Sequence, residues 1–189
     1  MALSPLNQRR WRNFCANRRA YWSLFIFLFL YFVSLFAELL ANDVPIMVRY
    51  RGETQFPIVQ FYAETDYGGE FRTQADYRIP EVQCLIETGG FEQCLDDPEA
   101  ALGEARETGT VDGQPIVPGW LLWPPLPYSY DTINNLGGPA PSAPDALHWL
   151  GTDDTARDVL ARVIYGFRLS VTFALVVVTS SSSLPRSSR

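Results

Sequence analysis

The chain carries few side chains of the types that bind metals or act as nucleophiles. Its three cysteines are Cys15, Cys84 and Cys94, and its single histidine is His148. No pair of cysteines has CxxC spacing, and a structural zinc site needs about four nitrogen or sulfur ligands. The sequence also lacks a nucleophile elbow and a glycine-rich phosphate loop. We therefore predict a chain that is not an enzyme and has no catalytic, cofactor or metal site of its own.

Acidic residues are abundant, but their spacing does not suggest catalysis or calcium binding. Asp153 and Asp154 are adjacent, so their carboxyl groups do not face each other as a catalytic pair would. The acidic stretch at residues 91–113 lacks the alternating ligands and central glycine of a calcium loop. We interpret it as a solvated acidic surface, and the isolated His148 as structural or interfacial.

Charge is distributed very unevenly along the chain. The first 20 residues contain no acid and five arginines, Arg9, Arg10, Arg12, Arg18 and Arg19. Residues 42–166 contain 20 acidic residues against seven arginines, a net charge of −13. Such polarity across an apolar segment indicates membrane topology rather than nucleic-acid binding. We expect residues 1–20 to stay in the cytoplasm as topology determinants, and residues 42–165 to be exported.

The apolar segment at residues 21–41 predicts a transmembrane helix. It contains one charged residue, Glu38, and no proline or glycine. About 20 apolar residues cross a hydrocarbon core of ~30 Å. A cleaved signal peptide is the alternative, but the apolar run exceeds the usual ~7–15 residues and no A-x-A site follows it.

The segment at residues 42–150 predicts a mixed, loop-rich structure. Short apolar runs at 43–62 indicate strands, while Pro80 and Pro98 suit the first turns of helices at residues 80–88 and 97–106. Eight of the 14 prolines lie at residues 115–144, which we expect to be extended. The aromatic residues there either pack on their own domain or contact a partner or the membrane interface. In an oxidising compartment, Cys84 and Cys94 could form a disulfide; two free thiols are the alternative.

Residues 148–170, HWLGTDDTARDVLARVIYGFRLS, predict a capped helix. Gly151, Thr152 and Asp153 break the chain, and Thr155 with Asp158 fits a capping box. An apolar stripe then recurs at helical spacing through Leu160, Val163, Ile164, Phe167 and Val171. The pattern indicates an amphipathic helix that enters a membrane helix over residues 151–178, although a soluble helix would show the same pattern.

This segment resembles the sequence before the second membrane helix in C-type permease subunits of dipeptide and oligopeptide ABC importers. The motif residues are Gly151, Thr152, Asp153, Arg157, Asp158, Arg162, Tyr165 and Gly166. Further similarity lies in NRRAYWSLFIFLFL, AELLANDVPIMVRYRG, ETDYGG and WPPLPYSYDTINN, in the same order. Together these stretches resemble the Yej-type branch, which is linked to microcin C and peptide uptake.

The resemblance implies an α-helical permease of the bacterial inner membrane with residues 42–165 in the periplasm. Its expected partners are membrane lipid, a second permease subunit, ATP-binding subunits and a periplasmic peptide-binding protein. ATP would be bound by the ATPase subunits, so the resemblance implies no cofactor in this chain. No nucleic-acid partner is expected.

The sequence departs from the family pattern near its end. The second apolar run, residues 169–178, has 10 residues, too few to span a bilayer, and a polar tail at 179–189 follows it. The family's cytoplasmic E-A-A…G loop is also missing. We therefore predict a truncated second transmembrane helix in an N-terminal fragment that arose by truncation or frameshift. The alternatives are a single-pass, membrane-anchored periplasmic protein-interaction module and a secreted soluble protein.

Overall fold

The computed structural model describes residues 5–135 and 138–183, which form two compact units. One unit contains the residues up to Ala37 together with those from Val163 onward, and the other contains Glu38–Arg162. We call them the helical unit and, after the export that the sequence predicts for residues 42–165, the exported domain.

The helical unit consists mainly of three helices: α1 at Pro5–Ala16, α2 at Arg18–Leu35 and most of α7 at Val159–Ser183. Two contacts join α2 to α7 within this unit. The rings of Phe27 and Phe167 pack edge to face with centroids 5.6 Å apart. The hydroxyls of Tyr31 and Thr172 lie 2.9 Å apart. Most other side chains of both helices are exposed apolar groups, as expected of helices that face lipid.

The first apolar helix differs in its limits from the predicted span at residues 21–41. It begins earlier, at Arg18, because the Asn17 side chain accepts a hydrogen bond from the Ala20 N–H at 3.4 Å. It ends at Leu35, and after Phe36 a separate short helix, α3, covers Ala37–Leu40. Near this break the Ser34 hydroxyl donates to the Tyr31 carbonyl at 2.7 Å, an interaction that bends helices.

The second apolar helix is much longer than the run of 10 residues from which we predicted a truncated span. By length and composition, Val159–Ser181 is one of two helices suited to crossing a membrane in the part of the chain described, the other being Arg18–Leu35. The prediction counted only uninterrupted apolar residues and treated residues 179–189 as a polar tail. Instead, the hydroxyls of Thr179, Ser180 and Ser181 donate to carbonyls one turn earlier, and the helix continues. Residues 184–189 of that tail lie outside the described residues.

The exported domain contains a small antiparallel sheet in the order β2-β1-β5, with β1 at Met47–Tyr50, β2 at Glu53–Gln55 and β5 at Trp120–Leu122. A second, two-stranded ladder pairs β3, Thr110–Val111, with β4, Gln114–Pro115. The predicted strand at residues 56–62 does not form. The N–H groups of Val59 and Gln60 both donate to the Phe56 carbonyl, which produces a turn instead.

Helices and a disulfide complete the core of the exported domain. A 3₁₀ helix at Glu64–Tyr67 precedes α4 at Pro80–Thr88, α5 at Gln93–Asp96 and α6 at Pro98–Thr108. The predicted helices at 80–88 and 97–106 are thus confirmed, the second with Asp97 as its N-cap. The core comprises the buried side chains Val48, Tyr67, Tyr77, Val82, Leu85, Ile86 and Val111 together with the cysteine pair.

The segment at residues 126–134 connects the beginning of the exported domain to its end. Leu126 forms a parallel bridge with Ala41, and the Thr132 hydroxyl donates to Asp43 at 2.9 Å. Asn134 binds the Ala156 carbonyl through both its backbone N–H, at 3.0 Å, and its side-chain amide, at 3.1 Å. One extended segment therefore binds both the entry and the exit of the domain.

Candidate functional site

The family motif at residues 151–158 forms a compact loop that leads into α7. A bridge pairs Thr152 with Asp158, and the Asp153 N–H donates to the Arg157 carbonyl at 2.9 Å. The Ala156 N–H donates to the Asp153 carbonyl at 3.0 Å, so a tight turn closes between them. Helix α7 begins only at Val159, and residues 151–158 are therefore not part of the amphipathic helix that we predicted from residue 151.

Asp153 holds this turn together through its carboxylate. One oxygen accepts from the backbone N–H of Arg157, from that of Thr155 and from the Thr155 hydroxyl, at 2.8–2.9 Å. The other oxygen forms an ion pair with Arg162. These interactions, above all the hydrogen bond from the Arg157 N–H, lower the pKa of Asp153 to about 2. The carboxylate is thus ionised over the whole physiological range.

The motif's glycine and threonine fasten the loop to a preceding segment. Gly151 has a φ of +73°, and a Cβ atom there would overlap the backbone carbonyl oxygen of Ser142. The Thr152 hydroxyl accepts from the Ser142 N–H at 3.0 Å, and the Ser142 carbonyl accepts from the Thr152 N–H at 3.2 Å. Only glycine meets both the conformational and the spatial demand at residue 151.

Asp158 is the N-cap of α7, and its side chain is fully buried. One carboxylate oxygen accepts from the Ala161 N–H at 2.8 Å. The other lies 3.0 Å from Nδ1 of His148, which is also buried. The predicted capping box of Thr155 with Asp158 is wrong, because the Thr155 hydroxyl binds Asp153 instead. The sequence alone predicts an isolated, structural or interfacial His148 and does not indicate that it pairs with Asp158.

A line of contacts leads from this buried pair to the segment at residues 126–134. The His148 ring packs on Tyr128 with centroids 4.6 Å apart. The guanidinium of Arg78 also lies over the Tyr128 ring, 5.3 Å from its centroid. Arg78 donates to the Asn134 side chain at 2.9 Å. These residues are far apart in sequence, so no local pattern could have shown that they meet at the start of α7.

The remaining motif residues have different surroundings. The Arg157 backbone bridges to Ile133, while its Nε atom is buried and has no hydrogen-bond partner among the described residues. Tyr165 and Gly166 lie within α7 in the helical unit and not in the loop. The guanidinium of Arg168 lies 4.8 Å from the Tyr165 ring centroid.

Two other groups of predicted residues have clear positions. The structure joins Cys84 of α4 to Cys94 of α5 in a disulfide, with Cα atoms 5.5 Å apart, and both residues are buried. The topology determinants are exposed on two consecutive helices: Arg9, Arg10 and Arg12 on α1, and Arg18 and Arg19 in the first turn of α2.

The site is therefore suited to fixing the start of a helix. Within residues 5–135 and 138–183, no group of three or more His, Cys, Asp or Glu side chains could hold a metal ion. The polar groups of the loop bind one another and the first turn of α7, and the loop thus sets the position at which the helix begins.

Comparison with known proteins assigns this architecture to a family. Residues 4–63 match the family model of the N-terminal transmembrane domain of oligopeptide transport permease C. The chain is therefore similar to the permeases of peptide ABC importers. It is 41% identical over 181 residues to the inner membrane ABC transporter permease protein YejE of Escherichia coli, covering 95% of this chain and 45% of that protein. The resemblance found in the sequence is thereby confirmed.

Two further relatives support this assignment. The peptidoglycan transport system permease protein YejE of Agrobacterium fabrum is 38% identical over 204 residues, covering 95% of this chain and 46% of that protein. The dipeptide transport system permease protein DppC of Alkalihalophilus pseudofirmus is 47% identical over 38 residues, 20% of this chain and 12% of that protein. The chain spans about half the length of the two YejE relatives. No solved structure matches the chain.

The family and the two apolar helices identify an α-helical membrane protein. The relatives are named as transport permeases rather than enzymes. Similarity to permeases over 95% of the chain does not favour the alternative of a single-pass interaction module.

Proposed function

We propose that this chain supplies the first two membrane helices and the intervening exported domain of a permease subunit in a peptide ABC importer. The similarity to permeases across 95% of the chain carries this proposal. The structure supports it with one folded domain between two helices that are each long enough to cross a bilayer. The motif loop would fix where the second helix begins.

We further propose that the N-terminus is cytoplasmic and that residues 42–165 are periplasmic. The five arginines before and at the start of α2 favour the cytoplasmic side, since positive residues near the ends of a span set its orientation. The bond between Cys84 and Cys94 supports the same topology, because disulfides persist in the oxidising periplasm.

In the assembled importer, we expect a second permease subunit beside this one and ATPase subunits below it. ATP would be bound and hydrolysed by those ATPase subunits, and a periplasmic binding protein would deliver the substrate. Transport would follow rigid-body movement of the permease helices. As the relatives' names refer to dipeptide and to peptidoglycan transport, we propose short peptides, including those derived from peptidoglycan, as the substrate class.

The topology is tested by inserting a reporter after Gly113, in the exposed turn between β3 and β4. An alkaline phosphatase reporter, which is active only after export, should be active there, and a β-galactosidase reporter should be inactive. Replacing the five N-terminal arginines with glutamine should mix the two orientations. Neutralising five exported acids is the matched control and should leave orientation unchanged, because acidic residues contribute little to it. High β-galactosidase activity in the unaltered chain would contradict the proposed topology.

Transport is tested with a chimera, because the chain spans about half of its relatives. Residues 5–183 would replace the matching part of the Escherichia coli relative in a strain that lacks that permease. We expect the chimera to restore uptake of a peptide that the strain needs for growth. A chimera that reaches the membrane, assembles with the other subunits and transports nothing would refute the proposed function.

A further inference from the structure

Helices α1 and α2 line an open groove that the proposed transport function does not use. Its lining consists of Asn7, Arg10, Trp11 and Phe14 from one face of α1 and Leu24 from α2. The groove has a volume of about 500 Å³ and is largely apolar. Trp11 and Phe14 stack with ring centroids 5.7 Å apart and form an aromatic wall.

The short connection between the helices places this groove near the bilayer surface. One residue, Asn17, separates the end of α1 from the start of α2. Leu24 follows Arg19 by five residues, about 7.5 Å along a helix. Amphipathic helices at membrane surfaces bury their apolar faces ~5–10 Å deep, at the boundary between headgroups and acyl chains. If α2 crosses the membrane, the side of α1 that faces α2 therefore also faces lipid.

The side chains of the groove combine two kinds of chemistry. Trp11, Phe14 and Leu24 offer apolar surface to the glycerol and upper acyl region of a lipid. Arg10 and Asn7 offer N–H donors that suit phosphate oxygens. The chain contains no acidic residue before Glu38, so no carboxylate of α1 or α2 competes for the guanidinium or repels an anion.

We propose that this groove binds the headgroup of an anionic phospholipid, with Arg10 as the phosphate-binding residue. The proposal rests on the proposed function only in that α2 must cross the membrane. An anionic lipid fits better than a neutral one because the first 20 residues contain five arginines and no acid, and such a cluster attracts anionic headgroups. The lipid would hold α1 against the bilayer beside the first membrane helix.

The chain itself offers a matched pair of variants. Arg10 and Arg12 are both exposed on α1, but Arg10 lines the groove and Arg12 does not. Arg10→Gln and Arg12→Gln remove the same charge two residues apart. A specific groove therefore predicts different effects for the two variants, and a diffuse positive surface predicts equal effects.

The experiment titrates the full chain, purified in neutral detergent, with dioleoylphosphatidylglycerol or dioleoylphosphatidylcholine and counts bound lipid by native mass spectrometry. We expect the wild type to bind phosphatidylglycerol at least fivefold more tightly than phosphatidylcholine. Arg10→Gln should weaken phosphatidylglycerol binding about fivefold, and Arg12→Gln less than twofold. Equal losses in the two variants, no headgroup preference, or displacement of the lipid by millimolar inorganic phosphate would each overturn the proposal.

Failure of this inference is distinguishable from failure of the proposed function. Extraction of cell membranes with alkaline carbonate reports whether the wild type and both variants are inserted. A chain that carbonate releases is not a permease segment, whatever its affinity for lipid. A chain that stays inserted but shows no preference between the lipids refutes only the lipid site.

Discussion

Replacing the buried cap of α7 should destabilise the exported domain strongly. In Asp158→Ala, the Ala161 N–H loses its acceptor, and the loss of an N-cap costs about 0.5–2 kcal/mol. The buried His148 ring also loses its partner, which costs about 1–3 kcal/mol for an unsatisfied polar group. We therefore expect a total loss of roughly 1.5–5 kcal/mol in the free energy of unfolding.

For a domain of this size, such a loss lowers the melting temperature by roughly 5–20 °C. Thermal unfolding of the purified chain in detergent, followed by near-ultraviolet circular dichroism, measures the shift. Hydrogen exchange of the peptide that contains Ala161 reports the cap directly and should become faster. Asp158→Asn keeps an oxygen for the Ala161 N–H, so it should cost less than the alanine variant.

The matched control is Asp154→Ala, which removes an exposed carboxylate in the same loop. It should change the free energy of unfolding by no more than about 0.5 kcal/mol. If Asp158→Ala and Asp154→Ala unfold at the same temperature and exchange at the same rate, the cap does not anchor the start of α7 and the reasoning fails.

Three other predictions concern the exported domain. Non-reducing peptide mapping should show Cys84 linked to Cys94, and free thiols in exported protein would contradict this bond. Replacing both cysteines with alanine should lower the free energy of unfolding by about 2–3 kcal/mol. Because folding lowers the pKa of Asp153, the ionised carboxylate should stabilise the domain fully above about pH 4, and this stabilisation should disappear as the pH falls towards 2. Asp153→Asn should remove this part of the acid dependence, and an acid titration that is the same in the variant and the wild type would contradict the prediction. Gly151→Ala should lower the melting temperature of the domain more than Gly113→Ala, since both residues have positive φ but only residue 151 lacks space for a Cβ atom. Equal decreases in melting temperature would refute the steric argument.

The sequence predicted those helices whose ends are determined by neighbouring residues. Pro80 and Pro98 stand in first turns, Asp97 caps α6, and Gly89 ends α4 in a left-handed conformation. All these interactions occur within one turn of the helix end, so a short window of sequence contains the information needed to predict them.

The prediction failed where a distant residue decides the outcome. Thr155 and Asp158 have capping-box spacing, but Asp153 binds the threonine hydroxyl and His148 binds the aspartate. A strand at residues 56–62 would need a neighbouring strand, and none of the residues described forms a bridge with it. Strand β1 pairs with residues 53–55 and 120–122 instead. The packing of His148 on Tyr128 likewise depends on tertiary contacts that no sequence period shows.

The segment at residues 126–134 has a consequence for how the exported domain can change in size. It binds residues at the entry of the domain, through Ala41 and Asp43, and at the exit, through Ala156. Extra residues in surface turns such as that between β3 and β4 would therefore lengthen the domain while leaving these end-to-end contacts intact. Such turns are the positions where related permeases can acquire new surface, and where an engineer can place a tag or a whole foreign domain, while the contacts that join the two ends of the domain stay intact.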